Sequence, residues 1–317
     1  MLIEWSKVIV LPGFSPLPLY TVATFFFQEI AKDSLVNKAS SLAYNFMLAI
    51  FPGLIFIFTL IPYIPIDNFQ DQLMGLIALV LPESAYLAFE NTLEDIIKNQ
   101  NGKLLSFGFI LALLFATNGV HTLMQAFNKS SLILETRSFL KQRLVALTLT
   151  VVMAIALIFG LILITVGEFI LNHLKEEVFI NDSFWIYIIA LIKWFILMTV
   201  YFITISILYR YAPAHTKKWR LFSAGSWLAT ILSIISFWGF AYYINNFGTY
   251  NKIYGSIGTL IVVMIWLYLN SLIILIGFEL NASIDLSKRS IKIVKPVFNT
   301  FKSAEIEEKL EKKRPAV

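Results

Sequence analysis

The chain has no cysteine among its 317 residues, and only three histidines. The first absence excludes disulfides, thiolate chemistry and cysteine-based zinc sites. His121, His173 and His215 have no ligand-spaced partner, so no metal centre is expected. Charge is also scarce. Only 14% of residues are Asp, Glu, Lys or Arg, against about 25% in an ordinary soluble domain. Hydrophobic residues make up 58%. The solvent of such a chain is mostly lipid. The net charge of +5 does not point to nucleic acid, because the basic residues cluster between apolar runs.

The apolar residues fall into six runs: Leu42–Ile61, Leu104–Ala126, Leu144–Leu171, Phe184–Tyr209, Leu221–Ile244 and Gly255–Ser283. Each meets the roughly 20 residues that cross a ~30 Å hydrocarbon core at 1.5 Å per residue. The expected class is an all-α membrane protein of six transmembrane helices. From the N-terminus, the Lys/Arg counts outside the runs are 3, 2, 4, 1, 4, 1 and 9. This alternation predicts a multi-pass inner-membrane protein with both termini cytoplasmic. Pro12, Gly13, Pro16 and Pro18 interrupt the only stretch that resembles a leader, so no cleavable signal is expected.

Three further segments complete the organisation. Residues 1–41 form a cytoplasmic segment whose Leu19–Ile30 stretch predicts a short interfacial helix. Asp33 or Ser34 then caps the first spanning helix. The transmembrane domain covers 42–283. Its external loop, 62–103, is expected to hold helices at Phe69–Leu81 and Glu83–Lys98, broken at Pro82. Residues 284–317 form a basic tail suited to anionic lipid at the cytoplasmic face.

Polar groups inside spans are expensive in lipid and each needs an account. Lys193 and Glu168 are expected in the outer half of adjacent antiparallel helices, where they can pair or snorkel. Glu279 lies near the cytoplasmic end of the sixth span. Arg143 and Arg210 are expected at its depth as charge partners, in either a packing cluster or a gate. Asn45, Thr117, Asn118, Asn270, Ser271 and Asn281 are candidates for interhelical hydrogen bonds or for a substrate path. Pro52 frees a carbonyl one turn earlier and makes the first span a candidate interrupted helix. Gly225, Ser226, Ala229, Thr230 and Ser233 form a small-residue stripe on the fifth span, read as a packing face.

Several motifs occur in order. They are Lys38-Ala-Ser-Ser-Leu-Ala-Tyr-Asn-Phe-Met-Leu-Ala-Ile-Phe-Pro52, Ala126-Phe-Asn-Lys129, Glu135-Thr-Arg-Ser-Phe-Leu-Lys-Gln-Arg143 and Tyr209-Arg-Tyr-Ala-Pro213. Tyr254-Gly-Ser-Ile-Gly-Thr-Leu and Trp266-Leu-Tyr268 follow, then Gly277-Phe-Glu-Leu-Asn281-Ala. Together they resemble the YihY/BrkB family of bacterial membrane proteins, once labelled ribonuclease BN. The chain departs from that pattern at Phe278, where Ala is commoner, and at Asn45, where Tyr is commoner. The resemblance implies six spans with both termini inside. It also implies a role for which transport of lipid or envelope components has been proposed.

Three functions follow as expectations. The first is a transporter or flippase for a lipid, envelope component or small solute, with a cavity lined by Pro52, Asn118, Lys193 or Glu279. The second is a non-catalytic scaffold or regulator acting through partners. The third, a ribonuclease, is disfavoured. Metal-dependent phosphodiester cleavage needs clustered carboxylates or histidines, and the sequence has no H-x-H-x-D or D-x-D pattern. No cofactor is expected, and oligomeric state is left open.

Overall fold

The computed structural model describes residues 6–7, 9–10, 14, 17–32, 34–63, 70–71, 74–75, 90–91, 94–214 (without 178–182), 220–246 and 256–294. Among these there is no strand. The helices are α1 (Leu19–Lys32), α2 (Leu35–Leu60, followed by a 3₁₀ turn, Ile61–Tyr63), α3 (Gly102–Ser130), α4 (Phe139–Glu177), α5 (Ser183–Tyr211), α6 (Ala224–Asn246) and α7 (Ser256–Val294). The last six each contain a stretch long and apolar enough to cross a membrane.

The spanning helices alternate in direction. One end of the bundle therefore gathers the α3–α4 and α5–α6 connections, which carry Lys129, Arg137, Lys141, Arg143, Arg210 and Arg220. We call this the basic end. Helix α7 is the hub and packs against α6, α2, α1 and α3, while α2–α3, α3–α4, α4–α5 and α5–α6 are also neighbours.

Glycine sets the closest approaches. A Cβ on Gly225 of α6 would collide with the Gly277 carbonyl of α7. One on Gly277 would meet Ala229 Cβ at 2.7 Å and Gly225 O at 2.7 Å. Ala229, Ser226 and Thr230 are buried along the same face. The small-residue stripe is thus an intrachain packing face. On the other side of the bundle, Gly119 receives the Phe46 ring, and Gly108 lies against the Phe56 backbone. These two contacts fix the antiparallel register of α2 and α3.

Helix α1 docks on the hub rather than standing apart. Leu17 and Val22 are each 1% exposed and pack with Phe14, Leu280 and Ile284. Ser34 occupies the N-cap of α2, but its side chain makes no capping hydrogen bond there. Asp33 and residues 295–317 lie outside the described residues. Helix α7 runs unbroken to Val294, so residues 284–294 of the expected tail continue the last helix. Helix α2 likewise continues through a buried Pro52, so this span is not interrupted.

At the end opposite the basic one, most of the two helices expected at 69–98 falls outside the described residues. The parts described at 70–71, 74–75, 90–91 and 94–98 are helical. Lys98 bonds to Glu94 at 2.9 Å and Asp71 at 3.0 Å, tying these parts together. Those two carboxylates, Glu94 first, hold its ammonium above the usual lysine range.

The C-terminus of α3 is closed by a Schellman motif. Ile133 N–H donates to Asn128 O at 2.9 Å and Leu132 N–H donates to Lys129 O at 3.2 Å. The residue in the left-handed position, Leu132, has φ 52°, where glycine is usual. A left-handed conformation costs an L-residue about 1–2 kcal/mol. Leu132→Gly is therefore expected to raise the thermal midpoint of the detergent-solubilised protein. Gly277→Val should lower it by well over the few degrees that ~1 kcal/mol produces. Equal midpoints in wild type and Gly277→Val would contradict the crossing described here.

Candidate functional site

Two groupings of chemistry emerge from the bundle. One is a polar and aromatic junction at the basic end. The other is a cavity on the side of α5, α6 and α7.

The junction is built from the dispersed motifs. Phe127 of α3 stacks on Phe278 of α7 with centroids 3.9 Å apart and planes 8° from parallel. Tyr209 of α5 meets both rings edge-on at 5.6 Å. All three are almost fully buried. Offset and edge-on aromatic pairs contribute about 0.5–1.5 kcal/mol beyond their buried area. The Tyr209 hydroxyl donates to Ile274 O at 2.6 Å, fastening α5 to the hub.

Around this stack the loops are clasped. Asn128 donates to Glu135 Oε2 at 2.8 Å and accepts from Ala214 N–H at 2.8 Å. Arg137 forks onto Glu135 at 2.8 and 2.7 Å and also donates to Ala212 O at 3.0 Å. The Arg137 guanidinium holds the Glu135 carboxyl below the usual carboxylate range. Bidentate charge-assisted pairs of this kind are the strong hydrogen bonds of proteins. Lys38 of α2 reaches the same end and donates to Ser130 Oγ at 3.0 Å.

Asn281 acts beside this clasp as a cap supplied from another helix. It accepts from Gly225 N–H at 2.8 Å and donates to Ser223 Oγ at 2.8 Å. It thereby satisfies one of the N–H groups that the first turn of α6 leaves without an intrahelical partner. Glu279, only 1% exposed, lies two residues before it.

The remaining polar candidates have contacts of their own. Arg143 donates to Asn118 Oδ1 at 2.5 Å. It therefore does not serve as the expected partner of Glu279. Arg210 lies with its guanidinium 5.6 Å from the Tyr211 ring centroid. Asn45 and Asn270 donate to Ser41 O and Trp266 O of their own helices, both at 2.8 Å, rather than between helices. Thr117 and Ser271 are buried, and their hydroxyls take no hydrogen-bond partner among the described residues. Lys193 lays its stem across Gly167, where a Cβ would meet Lys193 Cδ at 2.7 Å. That contact brings α4 and α5 together at the level expected for Lys193 and Glu168. The Glu168 side chain lies outside the described residues.

The cavity has a volume of about 380 Å³ and is lined by residues of α5, α6 and α7. Trp194, Trp238 and Trp266 wall it, and Tyr201, Ser233 and Asn270 add polar groups. The Tyr201 and Ser233 hydroxyls are hydrogen bonded at 2.7 Å. Trp194 and Trp238 are 52% and 69% exposed, so the mouth faces outward from the bundle. Of the residues expected to line a cavity or path, Asn270 does so; Pro52, Asn118, Lys193 and Glu279 do not line this one.

Six long apolar helices packed in this way define a multi-pass α-helical membrane protein. Residues 26–295 match the family model described as Virulence factor BrkB. The chain therefore belongs to the BrkB (YihY) family. It is 36% identical over 253 residues to the ribonuclease-like protein YfkH of Bacillus subtilis (strain 168), covering 80% of this chain and 91% of that one. It is 28% identical over 266 residues to a UPF0761 membrane protein of Xanthomonas axonopodis pv. citri (strain 306), covering 82% of this chain. It is 27% identical over 263 residues to one of Stenotrophomonas maltophilia (strain K279a), again covering 82%. The match takes in about 60% of the length of these last two relatives. No solved structure matches the chain with significance.

Sequence reasoning singled out Asn281 and Glu279 but passed over Asn128, Glu135, Arg137 and Tyr209 as site residues. The clasp has a definite pH signature. A carboxyl depressed in the fold stabilises it above the unfolded pKa of about 4.3, and that stability is lost as pH falls through the folded value. The difference in thermal midpoint between wild type and Glu135→Gln is expected to be largest near pH 7. There it should correspond to about 1.5–3 kcal/mol, and it should shrink below about pH 4. A difference independent of pH would dismiss the ionised clasp.

Proposed function

We propose that this protein is a transporter or flippase for a lipid, envelope component or small solute, and that it acts in the inner membrane with both termini cytoplasmic. The observation that carries this reading is the side cavity. Small-molecule sites are concave, largely apolar and furnished with a few placed polar groups. The tryptophan walls suit an acyl chain or another apolar portion. The Tyr201–Ser233 pair and Asn270 offer hydroxyl and amide groups to a polar portion at the depth of the span. The outward-facing mouth suits a substrate that arrives from the lipid phase.

The alternation of basic loops supports the orientation. We read the protein as a non-enzyme. The sequence lacks the H-x-H-x-D and D-x-D patterns by which divalent-metal phosphodiester chemistry gathers its ligands.

The test is flux of fluorescent phospholipid in proteoliposomes. Trp238→Ala strips the exposed wall of the cavity and is expected to slow translocation about tenfold, a ~1.4 kcal/mol barrier change, with little change in thermal midpoint. Wild-type flux equal to protein-free liposomes would sink the transport reading. Reporter fusions at residue 317 test orientation, and activity on the external side would reverse it.

A further inference from the structure

The opposite flank of the bundle carries a polar surface that the cavity does not use. On α3 one exposed face changes character along its length. Phe107, Ile110 and Leu114 are exposed toward its start, whereas Asn118, Thr122 and Gln125 continue the same face toward the basic end. Helix α2 makes the same change. Phe51, Leu54 and Phe58 are exposed in one half, Ser41 and Tyr44 in the other. The Phe46–Gly119 contact brings the polar stretches of α2 and α3 to nearly one level on neighbouring helices.

This surface falls within the candidate spans of α3 and α4. The apolar part of α3 before Asn118 is about 15 residues, roughly 22 Å, short of a ~30 Å core. Helix α4 bears this out. Arg143 bonds to Asn118, and around it on α4 Phe139, Leu140 and Leu144 are 66%, 73% and 63% exposed. Large apolar side chains therefore flank the polar face at its own level. A polar face left bare to hydrocarbon is costly, so a polar occupant would stabilise it.

Charge selects the occupant. Arg143 has five N–H donors, and it gives one hydrogen bond, to Asn118, among the described residues. Lys129 is exposed further along the same face of α3. Gln125 and His121 are hydrogen bonded to each other at 3.2 Å beside it. The nearby carboxylate, Glu135, is already held by Arg137 and Asn128. A second copy meeting this face would bring Arg143 and Lys129 against their own counterparts, like charge against like. A phosphate neutralises them, and guanidinium donors match phosphate geometry in pairs.

We propose that the face formed by Ser41, Tyr44, Asn118, Thr122, Gln125 and Arg143 binds the phosphate headgroup of a membrane lipid, with Arg143 as the phosphate ligand. The acyl chains lie along the exposed Phe107, Ile110 and Leu114. The site is distinct from the side cavity, and its occupancy does not depend on transport.

Native mass spectrometry of the full chain tests this with palmitoyl-oleoyl phosphatidylglycerol against the matched diacylglycerol, which lacks phosphate. Wild type is expected to favour the phospholipid about tenfold. Arg143→Gln should cut that preference about fivefold and Arg143→Lys less, because Lys keeps charge without the fork. Lys98→Gln, at the other end of the bundle, should leave it unchanged. Thr122→Val combined with Gln125→Leu keeps Arg143 and should lower it about threefold. This pair decides the matter if Arg143→Gln does not fold. An undiminished preference in Arg143→Gln and in the double variant would overturn the proposal. So would loss of lipid adducts in millimolar inorganic phosphate, which would assign the face to free phosphate. A dimer that dissociates on Gln125→Leu would assign it to a second copy.

Discussion

The crossing of α6 over α7 at Gly225 and Gly277 is the constraint on which the basic end depends. Where two backbones approach this closely, no side chain fits between them, and the gain must come from packing and from groups presented across the gap. Three such groups appear within one turn of the crossing. Asn281 caps α6 through the Gly225 N–H. Tyr209 bonds to the Ile274 carbonyl. Phe278 turns its face to Phe127. Moving α6 outward by the thickness of one methyl group would misalign the cap first. The aromatic stack and the Asn128–Ala214 bond are tied to the same level through α5 and its loop. The junction is therefore one cooperative unit rather than a list of contacts.

This arrangement explains why some parts of the protein are legible in its sequence and others are not. Hydropathy locates six spans because every spanning backbone must satisfy itself inside lipid, and only long apolar helices do so here. The stripe of Gly225, Ala229 and Thr230 announces a packing face because small residues are rarely collected on one side without a neighbour. Glu279 and Asn281 draw attention as polar residues late in an apolar run. Their partners do not. Glu135 and Arg137 sit in a short polar loop, where charges are ordinary. Their role arises from the return of the α5–α6 loop onto Asn128, a long-range contact without local signature. The pairing of Arg143 with Glu279 failed for the same reason. Depth along a helix is readable from residue counts, but the direction a side chain faces around the bundle is not, and Arg143 faces Asn118.

Pro52 shows the opposite case, a strong local signal with a mild structural result. Proline removes one donor and crowds the preceding turn, which marks it as a break. Yet α2 stays helical, with Pro52 buried. Neighbouring helices can hold such a segment straight enough when packing rewards continuity, and α2 is in contact with both α3 and α7. The consequence is that the first span acts as a wall, and the chemistry of the bundle shifts to its two flanks.

Those flanks differ in a way that bears on mechanism. The α5–α6–α7 side offers an aromatic recess with polar groups in its lining. The α2–α3–α4 side offers a polar surface edged by apolar residues and an arginine. An amphiphile needs both kinds of environment, but the two lie on opposite sides of the hub. If the same molecule used both, the hub would have to rotate or the molecule would have to pass around it. The glycine crossing, the Asn281 cap and the clasp all resist motion of α7 relative to α6 and α5 at the basic end. At the other end Gln70 and Gln100 donate to the Ile61 and Pro62 carbonyls, Lys98 joins Asp71 to Glu94, and Ile97 is buried. The side cavity reaches toward that end through Trp194 and Trp238. The cavity thus lies beyond the crossing that pins α6 to α7, along a stretch of α6 whose own glycine, Gly239, leaves open space where a Cβ would stand.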